Sequence, residues 1–267
     1  MTSPSTQPVL FLSHGGGPLP LLGDPGHREM VAFLDGLRRA RGRPRAILVA
    51  SAHWEASRPT LTGNPNPPLI YDYYGFPEAS YHIRYPAPGD PALAARTAGL
   101  LQNLGFDAAI DPDRGFDHGL FVPLKLMFPE ANIPCLQLSL LGNLDPGQHL
   151  ALGEALAPLR EQGVLVIGSG FSFHNMKAFF GPANADSTAA NNAFEDWLAD
   201  SLGNPRLGHG ERRQRLLDWA EAPGARHCHP REEHLLPLHV CLGAAGGVPG
   251  RQFTMEILGK RASAFLW

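Results

Sequence analysis

Histidine is the residue type through which this sequence offers chemistry. The 267-residue chain carries twelve. Three of them fall where an apolar run gives way to a loop: His14 after Val9–Ser13, His53 after Ile47–Ala52, and His174 a few residues beyond Val164–Gly170. His234 opens a C-terminal helical pattern, and His118 lies in Gly115-Phe-Asp-His-Gly119, just before the helical run Leu120–Phe128. Neutral imidazole is a ligand for zinc, iron and copper, and it also takes up and returns protons near neutral pH. A lone histidine after a strand is ordinarily a hydrogen-bonded loop residue. Three at the same kind of position could converge on one centre, although neither HExxH nor HxxxH occurs in the sequence.

Two other patterns compete. His14-Gly-Gly-Gly17 has the form of an oxyanion-hole motif, and Gly170-Phe-Ser-Phe-His174 approaches a nucleophile elbow. The elbow's second glycine is a histidine here, which crowds the turn and argues against a serine hydrolase. His227-Cys-His229 has the look of a metal clip, but alternate residues seldom reach one ion, so a solvated loop is expected. His27, His82, His149, His209 and His239 form no constellation and read as surface or core residues. Gly15–Gly17, and Gly168 with Gly170, are expected to let backbone pass close to a ligand.

The elements that must position these residues alternate. Pro8–Ser13, Arg45–Ala52, Ile133–Leu140, Val164–Ser169 and Gln252–Leu258 read as buried strands, rich in Val, Ile and Leu and bounded by Gly or Pro. Helical patterns cover His27–Arg41, Pro91–Leu104, Gly147–Glu161, Thr188–Leu202 and Arg212–Ala220. A last helix begins near Glu233 and runs toward Ala244, with Pro237 in its first turn. The alternation predicts an α/β fold, a single domain over residues 1–267 with a central, mostly buried mixed sheet flanked by helices. Ligands of such sheets bind beyond the carboxyl ends of the strands, where His14, His53 and His174 are delivered. The long Pro-, Tyr- and Gly-rich loop Thr62–Asp90 reads as a binding loop. Its Tyr71–Tyr85 portion either shapes a pocket or packs.

Composition narrows the function classes. A net charge of −3 leaves no basic face for phosphates, so nucleic-acid binding is disfavoured. No apolar run approaches a membrane span, and the N-terminal stretch lacks the basic region of a secretory signal. Cys135, Cys228 and Cys241 are odd in number and form no CxxC, which fits a reducing cytoplasm.

The chain resembles the extradiol ring-cleaving dioxygenases of the LigB type, in the branch like DOPA dioxygenases. The resemblance is carried in order by Leu12-Ser-His-Gly15, Val49-Ala-Ser-Ala-His-Trp54, Tyr74-Gly-Phe-Pro77 with Tyr85-Pro-Ala-Pro-Gly89, Gly115-Phe-Asp-His-Gly119, Pro134-Cys-Leu-Gln-Leu-Ser139, Gly168-Ser-Gly170 with His174-Asn175, and Glu233-His-Leu-Leu-Pro-Leu238. It implies a metal held by His14, His53 and His234, His174 as the acid/base at the substrate, and His118 as a further active-site histidine. Related ring-cleaving enzymes use two histidines and a glutamate; here the matching third position is a histidine beside Glu232 and Glu233. The resemblance further implies Fe(II) for activity, with Zn(II) as a possible occupant on isolation, and a catechol and O₂ as the small-molecule partners. Two alternatives stand beside it. A three-histidine zinc hydrolase would hold hydroxide in the open site, and a non-enzymatic metal-binding protein would have no need of His118 and His174.

Overall fold

The computed structural model describes residues 6–40, 42–182 and 184–267, the side chain of Ala40 excepted. The first five residues of the N-terminal stretch, and Arg41 at the end of the first helical pattern, lie outside the described residues. Among the described residues, eight strands form one mixed sheet: β1 (Val9–Ser13), β2 (Ala46–Ala56), β3 (Thr60–Thr62), β4 (Ala109–Asp111), β5 (Cys135–Leu141), β6 (Val164–Gly170), β7 (Arg251–Ile257) and β8 (Lys260–Leu266), in the order β4-β3-β5-β2-β6-β1-β8-β7. The central β5, β2, β6 and β1 run parallel. They are near-continuous apolar runs, as a sheet covered on both faces requires. Antiparallel pairing joins β3 to β5 on one side, and β8 to β1 and β7 on the other.

Helices cover both faces. Met30, Leu34 and Leu37 of α1 (Arg28–Ala40) and Leu120, Phe121 and Leu124 of α3 (His118–Met127) share one buried core with the Tyr73 and Tyr85 side chains. The opposite core is built from α2 (Pro91–Asn103), α4 (Pro146–Leu156), α6 (Ala185–Gly203) and α9 (Leu236–Ala244). The short helices α5 (Met176–Phe180), α7 (His209–Leu217) and α8 (Ala225–Cys228) complete the described helices. Helix starts are set locally. Asp90 and Asp145 each accept a backbone N–H of the first turn, from Leu93 and Gln148, with a proline at the first helical position.

The α/β class, the mixed sheet and the five expected strands are present, with shifted ends. The third expected strand begins at Cys135 rather than Ile133, and the fifth spans Arg251–Ile257 rather than Gln252–Leu258. β3, β4 and β8 were not expected. β3 and β4 have three residues each, too few for a periodic signal, and β8 opens on Lys260 and Arg261. The expected helix Gly147–Glu161 changes to a 3₁₀ helix at Ala157, and the expected Arg212–Ala220 is replaced by α7 and a 3₁₀ turn at Trp219–Glu221. The last helix starts at Leu236, three residues later than Glu233, with Pro237 in its first turn as expected.

Candidate functional site

The carboxyl edge of the parallel strands gathers the histidines. β1 ends at Ser13, and His14 follows with its backbone N–H bonded to the Gly170 carbonyl at the end of β6. His53 does not end a strand as expected; it lies within β2, which runs on to Ala56. Its pairing with β5 is interrupted between Ala50 and Glu55, and its pairing with β6 stops at Ser51. This irregularity frees the Ala52–Trp54 backbone from the ladder and turns His53 into the site, a common use of a bulge. His118 is the first residue of α3 rather than a loop residue. His234 sits in the turn before α9 rather than in the helix itself.

Gly168 and Gly170 act differently from the expectation. A side chain at Gly170 would lie 2.1 Å from the His234 carbonyl oxygen, and one at Gly168 would lie 2.3 Å from that of Pro237. The bare strand therefore makes room for the backbone that carries His234, not for a ligand, and the Phe171 N–H donates to the His234 carbonyl at 2.9 Å. Gly15 likewise makes room for a side chain of the protein itself. It has φ +82°, and its open side is filled by the buried His27 ring. His27 is itself fixed by Asp24 at 2.8 Å and accepts the Gly16 N–H at 2.9 Å.

His14, His53 and His234 bring ligand atoms within 4.8 Å of one another. Their hydrogen-bond partners decide which nitrogen carries the proton. The Ser169 hydroxyl donates to the Gly119 carbonyl at 2.5 Å, so it must accept from His14 Nδ1 at 3.0 Å. His234 Nδ1 donates to Glu233 Oε1 at 2.9 Å. His53 Nδ1 faces Asp72 Oδ2 at 3.7 Å. His14 Nε2 and His234 Nε2 are then unprotonated lone pairs, whereas His53 Nδ1 is too far from Asp72 for a hydrogen bond that would fix its proton. His14 Nε2 and His53 Nε2 lie 3.0 Å apart. At that distance either a His53 Nε2–H donates to the His14 lone pair, or a cation takes that proton's place between two lone pairs. Ligands about 2.1 Å from one ion and at right angles to each other would be separated by about 3.0 Å. The donor set therefore fits a divalent metal of the imidazole-binding class.

The electrostatics point the same way. Burial, and then the neighbouring imidazoles, hold His14 and His53 well below the ordinary histidine value; burial and His174 bring His234 down to about 4. Neutral imidazole is the form a metal requires. Two carboxylates flank the group. Burial alone would raise Glu233, but hydrogen bonds from His174 and His234 outweigh it and keep Glu233 ionised. Asp72 is likewise lowered, its burial outweighed by the hydrogen bond from His118.

His174 and His118 complete the site from opposite sides. His174 stacks on His234 with ring centroids 3.4 Å apart, and its Nδ1 lies 3.2 Å from the same Glu233 oxygen. His118 Nδ1 donates to Asp72 Oδ1 at 2.8 Å, and its ring centroid is 3.8 Å from that of His53. All five histidines line one cavity of about 480 Å³ with Gly15–Gly17, Tyr73 and a wall of apolar side chains. Geometry alone also groups His53, Asp72 and His118, and His174, Glu233 and His234, as possible ligand sets.

The expected solvated loop at His227–His229 is not found. His227 belongs to α8 and bonds the Ser187 hydroxyl at 2.8 Å. His229 is fully buried and donates from Nε2 to the Ser172 carbonyl at 2.9 Å. His149 and His239 are buried in the core, while His82 and His209 are exposed. Sequence reasoning gave no role to Asp72, Ser169 or His27. Asp72 lies in the long loop expected to bind, which was the available signal for it; Ser169 and His27 gave none.

Comparison with known proteins follows this geometry. A family model described as the catalytic LigB subunit of aromatic ring-opening dioxygenase matches residues 10–266. The dioxygenase tasH of Hapsidospora irregularis is 43% identical over 97% of this chain and 85% of its own length. A 4,5-DOPA dioxygenase extradiol of Beta vulgaris is 41% identical over 89% of this chain and 87% of its own. One of the same name from Escherichia coli K12 is 34% identical over 92% of this chain and 88% of its own. The crystal structure of an uncharacterized protein of Escherichia coli K12 superposes with a TM-score of 0.76 at 28% identity, covering 97% of this chain and 99% of that one.

Proposed function

Because the chain belongs to the LigB family of aromatic ring-opening dioxygenases, we propose that it is a metal-dependent extradiol dioxygenase, one catalytic domain that opens a catechol ring with O₂ in the cytoplasm. The observation that carries the reading is the convergence of three imidazole rings, with ligand atoms within 4.8 Å of one another, in one cavity with two further histidines. His14, His53 and His234 would hold the metal. When bound, it supplies Lewis acidity to the two catechol oxygens and, as Fe(II), the redox chemistry that O₂ requires. Three protein ligands leave positions open for catechol and O₂. Zinc binds such nitrogen sites at least as tightly as iron but has no redox chemistry, so zinc-loaded protein is expected to be inactive.

The chain's own residues handle protons and orientation. Glu233 fixes the His174 Nδ1 proton, which leaves His174 Nε2 as the base that takes a catechol proton and returns it as the ring opens. Asp72 fixes His118 in the same way and leaves His118 Nε2 to hydrogen-bond the substrate or O₂. The apolar wall excludes water around both. The three cysteines are buried and free, which supports a reducing compartment. Among the described residues, no helix is long and apolar enough to cross a membrane.

The test is anaerobic Fe(II) loading of the wild type, His53→Ala and His174→Ala, followed by metal analysis and oxygen uptake on a catechol panel. His53→Ala is expected to lose metal. His174→Ala is expected to keep metal and lose about 10²–10⁴-fold in kcat. Full metal content in His53→Ala overturns the ligand assignment. Normal kcat in a folded His174→Ala protein overturns its role, and oxygen uptake retained with zinc alone, after rigorous removal of iron, rejects the dioxygenase mechanism proposed here.

A further inference from the structure

We propose that this site takes a catechol whose ring carries an uncharged, apolar substituent, in preference to a zwitterionic or carboxylated one. The inference rests on the ring-cleaving reading above and concerns the part of the cavity beyond the histidines. A volume of about 480 Å³ is more than one dihydroxybenzene ring needs, so a substituent has room beside it. Leu19, Phe76, Phe171, Met176, Phe179 and Leu258 form the walls of that space.

Among the described residues, no lysine, arginine, aspartate or glutamate lines the cavity, and its polar side-chain groups are the five imidazoles and the Tyr73 hydroxyl. The charged groups nearby are engaged elsewhere. Glu233 serves His174 and His234, Asp72 serves His118, and Arg231 is held in a bidentate pair with Glu55 at 2.6 and 2.7 Å. Lys177 is on the same short helix as Met176 and Phe179, but it is exposed and outside the lining. The Tyr73 hydroxyl donates to the Ser80 carbonyl at 2.7 Å, and the Tyr71 hydroxyl to the Ile83 carbonyl at 2.6 Å. A substrate carboxylate or ammonium entering this space would lose water and gain no partner of opposite charge, whereas an alkyl or aryl group would gain burial.

Two features show that apolar side chains are kept here against local cost. Leu258 occupies the first turn position between β7 and β8 at φ +52°, where Asn, Asp or Gly is the usual choice, and it lines the cavity. At the cavity mouth, Met176 and Phe180 on α5 are 51% and 84% exposed, a rim that an apolar substituent would cover.

The experiment compares 4-tert-butylcatechol and 4-methylcatechol with DOPA and protocatechuate. kcat/KM is read by oxygen uptake on Fe(II)-loaded enzyme. Kd is read by calorimetry on zinc-loaded protein, where turnover plays no part. The apolar catechols are expected to lead by about tenfold or more in both. Leu258→Asn suits the turn and should fold, yet weaken 4-tert-butylcatechol binding several-fold while leaving DOPA binding nearly unchanged. Equal or better binding and turnover of DOPA or protocatechuate overturns the inference and leaves the ring-cleaving reading intact. So does unaltered 4-tert-butylcatechol binding in Leu258→Asn. Apolar-first binding without oxygen uptake on any catechol supports the ligand preference and overturns the ring-cleaving reading.

Discussion

A single carboxylate oxygen serves two histidines here. Glu233 Oε1 accepts from His234 Nδ1 at 2.9 Å and from His174 Nδ1 at 3.2 Å, while Glu233 Oε2 lies 3.4 Å from Arg231. The carboxylate next to His234 is thus used to orient imidazoles. Such outer partners fix the tautomer and make the ligand more basic, and their loss typically costs about 10–100-fold in metal affinity. Glu233→Gln keeps the shape and removes the charge. It is expected to weaken Co(II) or Zn(II) binding within that range while its thermal midpoint without metal stays near that of the wild type. Unchanged metal affinity in the variant would show that Glu233 does not orient His234.

At the scale of elements, the decisive contact is between the end of β6 and the turn before α9. With no side chain at Gly168 and Gly170, the backbone carbonyls of Pro237 and His234 come to rest against the strand. A methyl group at Gly170 would meet the His234 carbonyl at 2.1 Å, a backbone atom with no rotamer by which to yield. Gly170→Ala is therefore expected to push the His234 segment off the sheet. It should lose metal affinity by more than about tenfold and melt earlier than the wild type. Titration with Co(II) alongside thermal melts checks this, and normal affinity in Gly170→Ala would mean that His234 does not depend on the contact.

Across the whole molecule, the buried carboxyl of Glu195 couples folding to pH. It lies on α6 with no exposed surface, hydrogen-bonded by the Ser263 hydroxyl, and its Oε1 has no partner among the described residues. Burial raises it to about 7 from an ordinary 4.5. The folded state thus holds a proton that the unfolded chain releases. The stabilisation is fully present below pH 4.5 and is lost as pH rises through about 7. At about 1.4 kcal/mol per pH unit, the loss amounts to roughly 3 kcal/mol by pH 8. Glu195→Gln cannot titrate, so its stability relative to the wild type should increase between pH 5 and pH 8. Denaturant unfolding at the two pH values measures the change, and an equal difference at both would exclude a buried titration at this residue.

The alternation of apolar runs with helical patterns determined the α/β class, and the apolar runs located the central strands, because a sheet buried on both faces leaves long uninterrupted Val, Ile and Leu stretches. His14, His53 and His174 were legible as a group because each follows an apolar run that reads as a strand. The sequence could not show β3, β4 and β8. β3 and β4 are too short to carry a period, and the β7–β8 hairpin turns on Leu258, which is not a turn-forming residue type. Nor could local spacing separate His14, His53 and His234 from His174 and His118; the separation first came from the motif resemblance. Only the folded chain brings Ser169, Asp72 and Glu233 against the rings of His14, His118 and His234, and those partners decide which nitrogen of each keeps its proton. The apolar character of the cavity was likewise undecided until folding, since its walls come from the glycine loop, α5 and the β7–β8 turn, segments far apart in the sequence.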